Sequence, residues 1–131
     1  MMLKLIQDFP QHIADSLNIA EGVSKVWQPL PRPVYQVVIT GLGGSGIGGT
    51  IAADLCAGTA TVPVVVNKGY SLPNWVGPNT LVVACSYSGN TEETLTALDQ
   101  AVAAGCMVSA ITSGGELKRR AEQHGWNTSV V

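Results

Sequence analysis

Apolar and polar positions along the chain follow two rhythms that take turns. Short runs rich in apolar and β-branched residues lie at Tyr35 to Thr40, Val62 to Val66, Leu81 to Cys85 and Met107 to Ile111, and a fifth begins at Asn127 and runs to Val131. The unbroken run at Tyr35 to Thr40 predicts a strand buried on both faces. Between these runs the apolar residues recur at helical spacing. Ile47, Ile51 and Leu55 repeat every four residues with Ala52, Ala53 and Cys56 beside them, and Gly58 is placed to stop that helix. Leu95, Leu98 and Val102 make a buried stripe that Gly105 ends, with Asn90 as the cap and Glu93 at its third position. In the last helix Leu117, Ala121 and His124 share a face, Glu116 can pair with Arg120 one turn on, and Gly125 closes the element.

Ahead of the first strand, His12, Ile13, Leu17 and Ala20 predict a short helix from Gln11 to Ala20, started after Pro10, ended near Gly22 and packed on the outside of the body. Gln28-Pro29-Leu30-Pro31-Arg32-Pro33 can be neither helix nor central strand and reads as a stiff connector. Residues 67–80 form a structured excursion with a turn at Gly77-Pro78. The chain therefore divides into an N-terminal helix with its connector, residues 1–34, and a body over 35–131. Repeated β-then-α units predict an α/β fold, a three-layer α-β-α sandwich with a five-stranded parallel sheet. In the flavodoxin-like order 2-1-3-4-5, strands one and three are neighbours and their helices leave on opposite faces. Ligands bind at that switch point.

Composition narrows the chemistry. With 46% hydrophobic and 12% charged residues and a net charge of -2, the chain has the makings of one compact domain. Lys118-Arg119-Arg120 is too small a basic cluster for nucleic acid, and no apolar run is long enough to span a membrane. Cys56, Cys85 and Cys106 lie among apolar neighbours without metal-ligand spacing. They read as reduced core thiols of a cytoplasmic protein. The opening residues lack the apolar core of a signal peptide.

The chemistry concentrates in two loops at the switch point. Gly41-Leu42-Gly43-Gly44-Ser45-Gly46-Ile47-Gly48-Gly49 follows strand one, and Ser86-Tyr87-Ser88-Gly89-Asn90-Thr91 follows strand three. Each turns from a strand into a helix, so each offers free backbone N–H groups and the positive end of a helix dipole to an anion. Neither carries a Lys or Arg. One phosphate held by neutral donors fits both. Glycines that merely permit close packing would explain the first loop, but three aliphatic hydroxyls, an amide and a glycine in six residues exceed what capping requires. Thr112-Ser113-Gly114-Gly115 is either an ordinary cap or a supporting ligand loop. Trp27, Trp75 and Trp126 read as packing residues, and Glu92 and Glu93 as helix N-terminal carboxylates.

Other readings fare less well. The first loop satisfies G-x-G-x-x-G twice, as Gly41, Gly43, Gly46 and as Gly44, Gly46, Gly49, but a dinucleotide site wants an acidic residue where strand two ends in Asn67-Lys68. No Gly-Lys-Ser/Thr makes a P-loop, and Ser45 lacks the nucleophile-elbow pattern because Ile47 holds its last position. His12 and His124 are the chain's two histidines, a surface side chain and a helix C-terminal residue. A dipole contributes on the order of 0.3 to 1 kcal/mol and a hydrogen bond to a charged group about 1.5 to 3, which after immobilisation leaves about millimolar affinity. Cationic and catalytic groups would come from elsewhere.

Taken with GLGGSGIGG at Gly41 to Gly49, the segments NKGYSLP at Asn67 to Pro73, SYSGNTEET at Ser86 to Thr94 and ITSGG at Ile111 to Gly115 resemble, over nearly the whole chain, a SIS (sugar isomerase) domain. The resemblance is strongest to the N-terminal half of bifunctional phosphoglucose/phosphomannose isomerases. It implies isomerisation of glucose 6-phosphate or mannose 6-phosphate to fructose 6-phosphate through an enediol, with no metal or organic cofactor and with a homodimeric parent. Carried over by position, Gly44, Ser45, Ser86, Ser88 and Thr91 would hold the sugar phosphate. Gly43 would allow close backbone approach, while Gly89 and Asn90 shape the second loop. The family's catalytic Glu, His, Lys and Arg match no position of this chain. Glu92, Glu93, His124 and Arg119 are not substitutes, and the chain is expected to bind without catalysing. Thr50 departs from the acidic residue that many relatives have there. The chain reads as a SIS domain cut before its last helix and a second SIS domain, with self-association favoured by an unclosed face. A phosphosugar-sensing module acting through a partner is the reading from outside enzymology.

Overall fold

The computed structural model describes residues 2–131, apart from the side chains of residues 24 and 25. Five strands, β1 (Gln36–Thr40), β2 (Val64–Asn67), β3 (Thr80–Cys85), β4 (Met107–Thr112) and β5 (Asn127–Val130), pair in parallel in the order β2-β1-β3-β4-β5. That is the expected order, and it places β1 beside β3 in the register Thr40 to Ala84. Four helices accompany the sheet: α1 (Met2–Val26), α2 (Gly44–Cys56), α3 (Glu92–Ala103) and α4 (Gly115–His124).

The core lies on one face of the sheet. Val38, Val82 and Val108 form one row across β1, β3 and β4, and Thr40, Ala84 and Ala110 form the next. Against them α3 presents Ala97, Leu98 and Ala101, and α4 presents Leu117 and Ala121, all fully buried or nearly so. Leu72, from the segment between β2 and β3, completes this cluster. Leu98 and Leu117 alone contribute about 1.5–3 kcal/mol each through burial. Val102, expected in the buried stripe of α3, is exposed.

The other face is covered differently from expectation. The stripe Ile47, Ile51 and Leu55 of α2 points to solvent, with Leu55 77% exposed, and Cys56 is exposed as well. The buried residues of α2 are Gly46 and Gly49. A β-carbon on Gly49 would stand 2.8 Å from Cγ2 of Ile39, so the helix rests on the sheet through its glycines. Periodicity finds an apolar stripe, but backbone-to-sheet contact selects the small residues. Beyond α2 a groove of about 440 Å³ remains, lined by Ile39, Val83, Cys85 and Ile111 among others.

α1 also departs from expectation. It is one continuous helix through Pro10 and past Gly22. Pro10 lacks the N–H that would bond back to Ile6, a loss of about 3 kcal/mol in a helix interior. Helix-forming residues on both sides carry the backbone through. Met2, Leu3, Leu5, Ile6, Phe9, Ile13 and Leu17 stay exposed along it. Past its C-terminus the indole N–H of Trp27 donates to the carbonyl of Thr128 at 3.2 Å, and Asn127 exchanges two hydrogen bonds with the backbone of Gln28, which fasten the connector to β5.

Candidate functional site

The first loop is compact because its glycines let backbone meet backbone. The Gly41 N–H donates to Asn67 O at 3.1 Å, extending the β1–β2 ladder one step. A β-carbon on Gly41 would stand 3.0 Å from the carbonyl oxygen of Cys85, so the ends of β1 and β3 approach closely only with glycine there. Gly43 has φ 59, the left-handed region, and serves as N-cap of α2 without a side-chain cap. The first turn closes through Gly46 N–H to Leu42 O and Ile47 N–H to Gly43 O. The N–H groups of Gly44 and Ser45 are left with no acceptor among the described residues, and the Ser45 hydroxyl stands beside them at the mouth of the groove.

The second loop is built around its own hydroxyls. Ser86 is 2% exposed; its Oγ lies 2.8 Å from Oγ1 of Thr91 and accepts from the Gly89 N–H at 3.1 Å. One of the two hydroxyls donates to the other, so the pair keeps one free O–H. Thr91 is the half-buried member and can turn that proton outward. Ser88 is exposed; its Oγ accepts from the Asn90 N–H, and its own proton is uncommitted. Thr91 is the N-cap of α3 and makes no side-chain cap bond, so the N–H groups of Glu92, Glu93 and Thr94 also lack acceptors among the described residues. Asn90 is therefore not the cap of α3.

Asn90 instead caps α4. Its Oδ1 accepts from Glu116 N–H at 3.0 Å, and the Gly89 carbonyl accepts from Leu117 N–H at 2.9 Å. The Ser113 N–H donates to Tyr87 O at 3.0 Å, and the Thr112 hydroxyl donates to Gly114 O at 2.9 Å. Thr112-Ser113-Gly114-Gly115 thus fastens the second loop from behind, and that loop fills the N-terminus of α4. Of the helices that follow β1, β3 and β4, α2 and α3 present open N-termini while α4 is sealed. The two open ends follow neighbouring strands whose helices leave on opposite faces, which is the geometry of an anion crevice.

Two further residues border this crevice and were not read as ligands from sequence. Lys68, just after β2, has its Cε 3.5 Å from the point a Gly46 β-carbon would occupy. Loss of some hydration, then the carboxylates of Glu92 and Glu93, raise the phenol of exposed Tyr70, which stands near the first turn of α3. The strand order could have found both, because β2 beside β1 carries Asn67 to Tyr70 to the rim of the first loop. Cys85 ends β3 beneath the crevice, and burial pushes its thiol up to about 11, so it is a protonated thiol near neutrality. The other candidates go elsewhere. His124 stacks on Trp126 with ring centroids 4.7 Å apart, beside a pocket that also includes the connector and the start of β4, at the opposite edge of the sheet. Arg119 and Arg120 both bind Glu116 and hold its carboxyl down at about 2. Among the described residues no His, Cys, Asp and Glu cluster could hold a metal, and no helix is long and apolar enough to cross a membrane.

Comparison with known proteins gives consistent matches. The SIS domain family model matches residues 32–125. A bifunctional phosphoglucose/phosphomannose isomerase of Caldicellulosiruptor bescii is 41% identical over 130 residues, covering 99% of this chain and 38% of that protein. The enzyme of the same name from Thermoplasma acidophilum is 49% identical over 81 residues, 62% of this chain and 25% of that one. The chain thus spans well under half the length of these relatives. In fold it is similar to the crystal structure of tagatose-6-phosphate ketose/aldose isomerase from Escherichia coli, with TM-score 0.70 and 20% identity over 90% of this chain and 35% of the other.

Proposed function

The chain belongs to the SIS domain family, and from that premise we propose that it is the phosphosugar-binding domain of an aldose–ketose isomerase, one that interconverts glucose 6-phosphate or mannose 6-phosphate with fructose 6-phosphate through an enediol. The observation that carries the reading is the pair of open helix N-termini at the ends of adjacent β1 and β3, joined to a relative named a bifunctional phosphoglucose/phosphomannose isomerase that matches nearly the whole chain. The N–H groups of Gly44 and Ser45 and the Ser45 hydroxyl face the phosphate from one side. Ser88, Thr91 and the first N–H groups of α3 face it from the other. Ser86 holds Thr91 in place from its buried position, and Gly43, Gly89 and Asn90 shape the two loops.

Binding of the phosphate fixes one end of the substrate and leaves its C1–C2 end free. Moving a proton between those carbons needs a base within hydrogen-bond reach. Glu92 and Glu93 stand at the phosphate end, and His124 at the far edge of the sheet, so none meets that requirement. The proton-transfer groups belong, in this reading, to the part of the relatives' length that the chain does not span, and the chain alone binds without turnover. The exposed apolar stripes of α1 and α2 support a homodimeric parent.

Calorimetric titration with fructose 6-phosphate, inorganic phosphate, fructose and NAD tests the proposal. Fructose 6-phosphate is expected to bind most tightly, inorganic phosphate more weakly, and fructose and NAD not at all. Binding of NAD with none of fructose 6-phosphate would overturn it.

A further inference from the structure

Two loops of neutral donors face a dianion here, and the first turn of α3 adds the carboxylates of Glu92 and Glu93 to the same rim. Those carboxylates repel a phosphate that the loops attract. A cation would offset that repulsion, and the structure brings one to the first loop. The turn after β2 is pinned on both sides of Lys68. The Asn67 carbonyl accepts from Gly41 N–H, and its side-chain amide donates to Thr40 Oγ1 at 3.2 Å and to Gly69 O at 3.0 Å. Further on, Gln100 donates to Tyr70 O and accepts from Leu72 N–H.

Between these anchors the Lys68 stem reaches the first loop at Gly46 and makes no hydrogen bond or ion pair with any described residue. The other cations whose side chains are described are all engaged. Lys4 pairs with Asp8, Lys118 with Glu122, Arg119 and Arg120 with Glu116, and Arg32 donates to the carbonyls of Pro78 and Gly105. An unpaired ammonium on a held turn beside an anion loop is a point charge placed for a phosphate.

We propose that Lys68 is the cationic residue of the phosphosugar site, its ammonium contacting the phosphate of the bound sugar phosphate beside the donors of the first loop. The inference rests on the phosphosugar reading. It is tested by NMR titration of the chain with fructose 6-phosphate and with inorganic phosphate, at low and high salt. Lys68→Met, which keeps the stem and removes the charge, is expected to weaken both ligands about tenfold at low salt and to flatten the salt dependence. Lys68→Arg should bind within about threefold of the parent sequence, since the charge is kept. Lys118→Met, which removes a cation remote from the crevice, should change nothing.

Unchanged affinity in Lys68→Met, with binding still weakened by Ser88→Ala, would refute the role of Lys68 and leave the site standing. No binding of either ligand to the unaltered chain would remove the phosphosugar reading, and this inference with it.

Discussion

Replacing Gly89 by alanine strikes the point where the two halves of the second loop's support meet. Gly89 has φ 75, and a β-carbon there would fall on the carbonyl oxygen of Gly114, with the Gly114 carbonyl carbon at 2.7 Å and Thr112 Oγ1 at 3.0 Å. The left-handed backbone alone costs a non-glycine residue roughly 1–2 kcal/mol. Relieving the overlap moves the second loop away from residues 112–115. That motion breaks the bonds Leu117 N–H to Gly89 O, Ser113 N–H to Tyr87 O and Glu116 N–H to Asn90 Oδ1. At a net 0.5–1.5 kcal/mol each, three bonds add about 1.5–4.5, for a total loss of about 2.5–6.5 kcal/mol. Domains of this kind hold about 5–15 kcal/mol in all, so the variant should unfold at a far lower urea concentration. The assay is urea unfolding followed by far-ultraviolet circular dichroism. Gly48→Ala is the comparison: it lies inside α2 with open space at the β-carbon, and should gain about 0.5–1 kcal/mol. A loss in Gly89→Ala of less than about 1 kcal/mol would refute the reasoning, since strain alone accounts for that much.

Three further outcomes follow from the same structure. Asn90→Ala removes the acceptor for Glu116 N–H and should cost about 1 kcal/mol, lowering the melting temperature by about 3–5 °C, with Asn90→Asp largely restoring it; an unmoved melting temperature would argue against the cap. Glu116 has its carboxyl at about 2, below the ordinary glutamate value near 4.3, because Arg119 and Arg120 bind its charged form. Its contribution to stability is therefore complete above the unfolded value and lost as pH falls towards 2. Glu116→Gln should be less stable than the parent sequence at neutral pH and converge with it in acid, as read by urea unfolding across pH; a constant difference would contradict the pairing. Among the thiols, exposed Cys56 should react rapidly with a disulfide reagent at pH 8 and Cys85 slowly, because burial lifts the latter to about 11; equal rates would show that the β3 thiol is open to solvent.

The strands and their order were legible because each is a short apolar run ended by glycine or a polar loop, and the two crevice loops were legible because their glycines and hydroxyls cluster at strand ends. Four features were not. α1 runs through Pro10 because one missing hydrogen bond does not outweigh the helix formers around it, and local breaker rules overstate a single proline. In α2 the spacing of Ile47, Ile51 and Leu55 marks an apolar face, yet the sheet takes the glycine face, where Gly49 meets Ile39; which face packs is decided by the distance between helix and sheet, not by hydropathy. Asn90 has the local pattern of a cap for α3, but its acceptor serves α4, a partner 26 residues away that only the parallel sheet brings near. Lys68 belongs to the same class, since its neighbourhood with Gly46 depends on β2 lying beside β1.

The central claim, that one phosphate sits between the first and second loops, is tested most directly by following backbone amide shifts of the isotope-labelled chain during titration with fructose 6-phosphate. The account predicts saturable shifts at Gly44 to Gly46 and at Ser86 to Thr94, smaller ones with inorganic phosphate, none with NAD, and little change at Glu116 and Leu117, whose N–H groups are already bonded. Shifts confined to the first loop and produced by NAD, with the sugar phosphate moving neither loop, would contradict it.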